Sequence, residues 1–454
     1  MTTTTVVRPL GPSEEIYALG EVYIAYIFRT SGRLDIPALN TALAAVVRAF
    51  PLLGARIEAT PEGGHVFATP GAAPEVFVTD GDPERPLTGA RLDQTMALVA
   101  VCVVRDGDTA SVSLLTHHSS ADAFYSLAVL DEFWSCYTDA VEGGHHEPPR
   151  HPVPDTIETL LAARGIEKIP RPSTEAPAEA GPAAPAEAPA PAEPDVPEDV
   201  PAAAAAEVPA AVPEVLAAAD TSRYTDENGL LLQWTARTLL TEADTAALVA
   251  LGHREGLTIN ALVSAAILRV EAELRSLAPH QLMYVYPVNL RTRLVPEVGL
   301  TEGTNVVGFA DYVPAETTDT ALLGLARAVN EALRTALADG MVQQAPLHIP
   351  EMLLAGRPPE MPGLIITTNW GRVAHPRTPA GLRVTDFRST TTAKPDETAG
   401  PPAQPGGGTW IISGFDGRLS IEIHHPEANA ALQRTRVDRY AAELIAAVSV
   451  GAQG

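Results

Sequence analysis

The chain has 454 residues, 46% of them apolar, which is more than one hydrophobic core organises and predicts two domains. A formal net charge of −25 with no Lys/Arg cluster argues against nucleic acid or anionic membrane as partner. No apolar run is long enough to cross a bilayer and "MTTTTVVRPL" lacks the parts of a signal peptide, so the expectation is a cytoplasmic monomer acting on a small molecule.

In chain order, "DIPALNTALAAVVRAFPLLGARI" spaces Ile36, Leu39, Leu43, Val46 and Phe50 as an amphipathic helix, with Asp35 as N-cap, Pro37 in the first turn and Pro51 ending it. "ALVAVCVVRDGDTASVSLLTHH" reads as two strands joined at Asp106-Gly107 and leading into a histidine pair. Phe124, Leu127, Leu130, Trp134 and Tyr137 then repeat at helical spacing, so the histidines end a strand on the turn into a helix. Cys102 and Cys136 fall in that strand and that helix, as core residues rather than a disulfide or thiolate metal site.

From Pro170 to Ser222 the chain is nearly all Ala, Pro and acid, with ten Asp/Glu against one Arg. Spaced prolines remove helix donors and favour extended backbone, so this tract is expected to be a disordered linker. It divides the chain into an N-terminal half, residues 1–169, and a C-terminal half, residues 223–454. A regulatory or docking role for the tract is the alternative.

Beyond it, "GLLLQWTARTLL" reads as one strand and "TEADTAALVALGHREG" as a helix, with Thr241 and Asp244 at capping-box spacing and Gly256 as the stop. A second helix, "TINALVSAAILRVEAELRSL", follows. Strands then dominate: "LMYVYPVNL", "TNVVGFADYV", "GLIITTNW", "AGLRVTDF" and a hairpin turned at Asp416-Gly417, before the helix "VDRYAAELIAAV". The fold class is α/β with mixed sheets in two related halves; "PGGGTW" lacks the strand-turn-helix setting of a phosphate loop.

Adjacent side chains on a strand point to opposite faces, so His117 and His118 cannot serve one substrate together, and one is chemical while the other is structural. The simpler account is that Ser119 to Asp122 forms a capping box and the histidines are ordinary polar residues. A metal is not expected, because the pairs His145-His146 and His424-His425 lie in a Gly/Pro-flanked loop and before Pro426, outside any helical His-x3-His or His-Glu-x-x-His spacing.

His117-His118-Ser119-Ser120-Ala121-Asp122 matches the HHxxxD pattern, and the chain resembles the superfamily of chloramphenicol-acetyltransferase-like enzymes and condensation domains. "LNTALAAVVRAFPLLGARI", "LMYVYPVNLRTRL", "TEGTNVVGFA" and "TTNWG" are similar to segments of its polyketide-associated branch, the phthiocerol dimycocerosyl transferase type. The resemblance implies two α/β halves in a V with a tunnel between them. It implies His118 as general base, His117 bracing the turn and Asp122 pairing with Arg291 across the halves. Ser119, Asn369 and Trp370 are carried over only as substrate-binding or structural support, since Thr368-Asn369-Trp370-Gly371 departs from the Asp-Phe-Gly-Trp-Gly of the plant branch.

The implied function is O-acyl transfer from acyl-CoA or a phosphopantetheinyl carrier protein to a hydroxyl of a polyketide, lipid or other natural product, with no permanently bound cofactor. Amide-forming condensation and a non-catalytic carrier-docking module remain as alternatives. No Gly-x-Ser-x-Gly turn offers a nucleophile, so direct transfer with both substrates bound is expected.

Overall fold

Runs rich in Val, Ile and Leu form the strands, and segments with three-to-four-residue apolar spacing form the helices that cover them. The computed structural model describes residues 5–144, 146–169, 231–232, 234–354, 363–394, 408–425 and 430–451. The elements up to the tract are β1 (Thr5–Pro9), α1 (Pro12–Leu19), β2 (Tyr23–Ser31), α2 (Ile36–Ala49), β3 (Arg56–Ala59), β4 (His65–Thr69), β5 (Val76–Asp80), β6 (Val99–Asp106), β7 (Thr109–His117), α3 (Ala123–Glu142) and α4 (Ile157–Ala162). After it come β8 (Leu231–Leu232), β9 (Trp234–Leu239), α5 (Glu242–Glu255), α6 (Ile259–Arg275), β10 (Met283–Asn289), β11 (Val307–Tyr312), α7 (Leu322–Ala338), α8 (Met341–Gln344) and α9 (Ile349–Leu354). The chain continues with β12 (Leu364–Arg372), β13 (Arg383–Ala393), β14 (Thr409–Phe415), β15 (Arg418–His425) and α10 (Ala430–Gly451). The expected linker, residues 170–222, lies outside the described residues.

Two six-stranded mixed sheets, β5-β6-β7-β2-β13-β8 and β11-β10-β12-β14-β15-β9, form the core of the fold, with a small sheet β1-β4-β3 beside them. Helices α2 and α3 cover one face of the first sheet, burying Leu39, Leu43, Val46, Phe133 and Trp134 against Tyr26, Phe28 and Leu114. Helices α6, α7 and α10 cover the second, through Leu262, Leu325 and Tyr440. The layering is mixed α/β, as the strand and helix order implies.

Chain order and sheet membership diverge at two strands, β13 and β8. β13 belongs to the stretch after the tract but pairs antiparallel with β2 along its whole length, from Arg383 opposite Ser31 to Thr392 opposite Tyr23. The expected single strand "GLLLQWTARTLL" is likewise two: β8 pairs with β13 in the first sheet, and β9 with β15 in the second. A period-two pattern gives the local conformation of such a segment but not its partner.

Local signals are realised in detail at several places. Asp35 caps α2 by accepting from the Ala38 N–H at 3.0 Å, and Thr241 caps α5 through the Asp244 N–H at 3.1 Å. Asp416 and Gly417 both take positive φ, 50° and 73°, the conformation a two-residue hairpin needs. The apolar stripe of α3 is displaced from the expected one: Tyr125, Val129 and Phe133 are buried with Leu130, Trp134 and Tyr137, while Phe124 and Leu127 are half-buried. Asp122 caps the helix.

Candidate active site

The turn His117 to Asp122 leaves β7 and enters α3, and almost every polar group in it is spoken for. The His117 N–H donates to the Leu98 carbonyl and the His118 N–H to the Val22 carbonyl, both at 2.8 Å, so sheet bonding continues to the very end of the strand. Two backbone-directed serines then fold the turn: Ser120 Oγ donates to the His117 carbonyl and Ser119 Oγ to the Glu14 carbonyl, each at 2.7 Å. Neither serine caps α3. The helix is capped by Asp122, whose Oδ1 accepts from the Tyr125 N–H at 2.9 Å, which corrects the expected Ser119–Asp122 capping box.

Asp122 is buried, and its second oxygen is held from the other half of the chain. Arg291 Nη1 donates to Oδ2 at 2.6 Å, and the Val306 N–H donates to the same atom at 2.9 Å. Arg291 is itself buried; its Nε donates to the Leu300 carbonyl and Nη2 to that of Gly303. The Asp122 N–H donates to the Thr304 carbonyl at 2.7 Å. A carboxylate with three donors and a guanidinium with three acceptors offset the cost of removing both charges from water.

The segment Gly303 to Val306 supplies more than this clasp. Asn305 Nδ2 donates to the His118 carbonyl at 2.9 Å, and Thr304 Oγ1 donates to Glu14 Oε1 at 2.6 Å. Glu14, fully buried on α1, also accepts twice from Arg8, at 2.8 and 2.7 Å, and from the Gly11 N–H. The His117–Asp122 turn is therefore fixed on one side by α1 and on the other by the loop before β11. Glu14, Tyr17, Thr304 and Asn305 received no role from the sequence. Pro12 and the two glutamates in "PSEEIYAL" do mark a helix start, but nothing local says that this short helix meets residues 119 and 304.

The two imidazoles have different surroundings. His117 is wholly buried; its Nδ1 accepts from the Ser119 N–H at 3.2 Å, and the ring stands edge-on to Tyr23, centroids 4.8 Å apart. Burial, then the neighbouring His118 and His65, push its pKa down to about 3, so it is neutral. His118 is half-buried and stacks on Tyr17, with centroids 3.8 Å apart and planes 11° from parallel. Its Nδ1 is buried without a well-formed hydrogen bond. Burial lowers the His118 pKa below 6.5, outweighing its own backbone, the Asp122 charge and Asn305, which pull upward. At neutral pH the ring is an uncharged base held in one orientation. Burial pushes the Tyr17 hydroxyl up to about 12, so it stays protonated beside it.

The remaining candidates lie elsewhere. Asn369 Nδ2 donates to Asn260 Oδ1 at 3.0 Å, and Asn369 Oδ1 accepts from the Gly371 N–H at 2.8 Å. Trp370 packs on Tyr26 and Phe387 in the core under α2 and α3. Neither makes a hydrogen bond or ring contact with the His117–Asp122 turn. Both cysteines are buried free thiols, and burial pushes Cys102 up to about 12 and Cys136 to about 11. Among the described residues, Glu132, Cys136 and His146 bring three donor atoms within 4.8 Å of one another, none of them in the turn. No helix among these residues is long and apolar enough to cross a membrane.

The chain is similar to known proteins over most of its length. The family described as phthiocerol/phthiodiolone dimycocerosyl transferase C-terminus matches residues 232–424. A phthiocerol/phthiodiolone dimycocerosyl transferase of Mycobacterium sp. (strain JLS) is 33% identical over 392 residues, 85% of this chain and 87% of the relative. The structure of polyketide synthase associated protein 5 from Mycobacterium tuberculosis superposes with a TM-score of 0.74 at 27% identity, covering 98% of this chain and 99% of that one. At 15% identity, the first condensation domain of the calcium-dependent antibiotic synthetase shares the two-lobed fold, with a TM-score of 0.61 over 98% of this chain and 97% of its own. The chain belongs to the phthiocerol/phthiodiolone dimycocerosyl transferase family and is an acyltransferase.

Proposed function

We propose that this chain moves an acyl group from a thioester, on coenzyme A or a phosphopantetheinyl carrier protein, to a hydroxyl, with His118 as the general base. The observation that carries the reading is the His118 ring: neutral at pH 7, stacked on Tyr17, and anchored through its carbonyl to Asn305. An alcohol is too weak an acid to ionise unaided at that pH, and a base within hydrogen-bond reach contributes about 10²–10⁴ in rate.

In this mechanism Nε2 takes the hydroxyl proton as the oxygen attacks the thioester carbonyl. The tetrahedral intermediate then collapses with cleavage of the C–S bond, and the imidazolium returns the proton to the departing thiolate, giving an ester and a free thiol. His117, neutral and immobile, braces the turn, and the Asp122–Arg291 pair holds the two halves in register around it. The substrates reach His118 through a tunnel between the halves, in a monomeric cytoplasmic enzyme. Relatives named for phthiocerol, phthiodiolone and mycocerosyl groups make a lipid-like hydroxylated acceptor the first to test.

The deciding measurement is product mass after incubation with a panel of acyl thioesters and hydroxylated or amine acceptors. Ester formation that requires the acceptor hydroxyl supports the reading. Amide products, or thiol release with no acceptor acylated, would overturn it.

A further inference from the structure

Helix α3 ends in a chain reversal that brings a third side chain back onto it. Glu132 and Cys136 stand one turn apart, at positions i and i+4, on the same face of the helix. Gly143 takes the left-handed conformation, φ 73°, and its N–H and that of Gly144 both donate to the Asp139 carbonyl, so the helix stops there. Past that stop His146 comes back to the helix, and its Nε2 is in direct contact with Glu132 Oε1. Cys136 Sγ completes the group, with the three donor atoms all within 4.8 Å of one another. Among the described residues, no other three His, Cys, Asp or Glu side chains bring their donor atoms together so closely.

The three donors differ in kind, and the mixture is selective. A thiolate, an imidazole and a carboxylate together suit a borderline divalent ion such as Zn2+, not the hard, oxygen-seeking Ca2+ or Mg2+. At bond lengths of about 2.0–2.3 Å, donors around one tetrahedral ion stand roughly 3.3–3.6 Å apart. A group already within 4.8 Å reaches that spacing by small side-chain adjustments. The thiolate and carboxylate cancel the charge of the ion, so the complex is neutral where Cys136 is buried. Burial and the charges of Glu132 and Asp139 push the Cys136 thiol up to about 11, and Glu132 adds to burial in raising Asp131. An ion at Glu132 replaces that repulsion by attraction, and on coordination the thiol gives up its proton to solvent. Asp139 is itself paired with Arg377, and Arg48 of α2, the cation that acts on Cys136, is exposed. Glu132 and His146 are partly exposed, which gives an entry path and leaves the fourth position to water.

From this convergence we propose that Glu132, Cys136 and His146 bind one divalent ion of the Zn2+ class, which fastens the loop after α3 to the helix. The far end of that loop is already tied to α2 and its flank: the His151 N–H donates to the Ala49 carbonyl at 2.7 Å, and the His151 ring stacks on Phe50 with centroids 4.7 Å apart. The ion holds the near end, at His146. Glu132 and Cys136 lie ten and fourteen residues beyond the Asp122 cap, roughly 15–21 Å along the helix, so the site is separate from the His117–Asp122 turn. Metal affinity is read without any substrate, so the acyl-transfer reading can fail without touching this site.

Titration of the full chain, stripped with chelator and dialysed, with Zn2+ alone and with Co2+ alone tests it. Saturable binding of one ion per chain is expected, and the Co2+ form should show a thiolate-to-cobalt charge-transfer band with the intense visible bands of a tetrahedral site. Zn2+ should raise the melting temperature of the wild-type chain, since it binds the folded state. His146→Gln should raise Kd at least tenfold and remove that Zn2+-dependent rise, and Cys136→Ser should abolish the charge-transfer band. If Cys136→Ser does not fold, the partly exposed changes His146→Gln and Glu132→Gln are read instead, each with at least a tenfold rise in Kd. Absence of saturable binding to the wild-type chain, a cobalt complex without the thiolate band, or wild-type affinity in the folded variants overturns the proposal.

Discussion

Arg291 Nη1 meets Asp122 Oδ2 at 2.6 Å across a sequence separation of 169 residues, and both side chains are buried. The pair joins the turn that presents His118 to the loop that carries Asn305, so the position of His118 and the cohesion of the segments before and after the acidic tract depend on the same contact.

Removing either partner leaves a buried charge without its counter-ion, at a cost of about 3–5 kcal/mol. Asp122→Asn and Arg291→Met should each lower stability by that order, and the double change should cost much less than the sum. Urea unfolding of the two single variants and the double measures the coupling. Additive losses would show that the contact does not form in solution.

His118→Ala should lower kcat by about 10²–10⁴ while the melting temperature holds, because only the base is lost. His117→Ala should act chiefly on stability, since it empties a buried site whose Nδ1 accepts the Ser119 N–H. Equal, mild kinetic losses at both positions would contradict the division of roles.

The pH dependence has a definite sign. His118 has a folded pKa lowered below 6.5, so kcat/KM should fall only as pH drops through that lower value. An acid limb centred at or above 6.5 would place the base elsewhere. His117 gives a second readout: its folded pKa of about 3 lies below the unfolded value near 6.5. The unfolded chain therefore takes up the proton first, and stability present above pH 6.5 drains away as pH falls toward 3. His117→Gln should flatten that part of the melting-temperature profile.

Transfer should be direct. Burial holds both thiols protonated, and Ser119 and Ser120 spend their hydroxyl protons on the Glu14 and His117 carbonyls. Intact-protein mass spectrometry with donor alone should show no added acyl group, and initial-rate lines for varied donor should intersect. A stable acyl-enzyme with parallel lines would require a nucleophile in place of direct attack.

Asn305→Ala frees the His118 carbonyl and removes one of the groups that pull the His118 pKa upward. A loss of kcat with a stability change of about 1 kcal/mol or less is expected if this bond orients the base. Unchanged kcat would leave Asn305 a structural role only.

The sequence by itself determined whatever is written within one element and its caps. Apolar spacing and Asp35 gave α2, two valine-rich runs around Asp106-Gly107 gave the β6–β7 hairpin, and the HHxxxD pattern located the turn that ends it. Tertiary structure decided what joins distant segments. It split "GLLLQWTARTLL" between two sheets, because alternation does not specify a partner edge. It sent β13 back to β2, exchanged the expected serine cap for Asp122, and brought Glu14, Tyr17 and Asn305 to a turn more than a hundred residues from two of them. Those choices rest on burial and on satisfying buried polar groups, which depend on the whole packed chain and leave no local period to read.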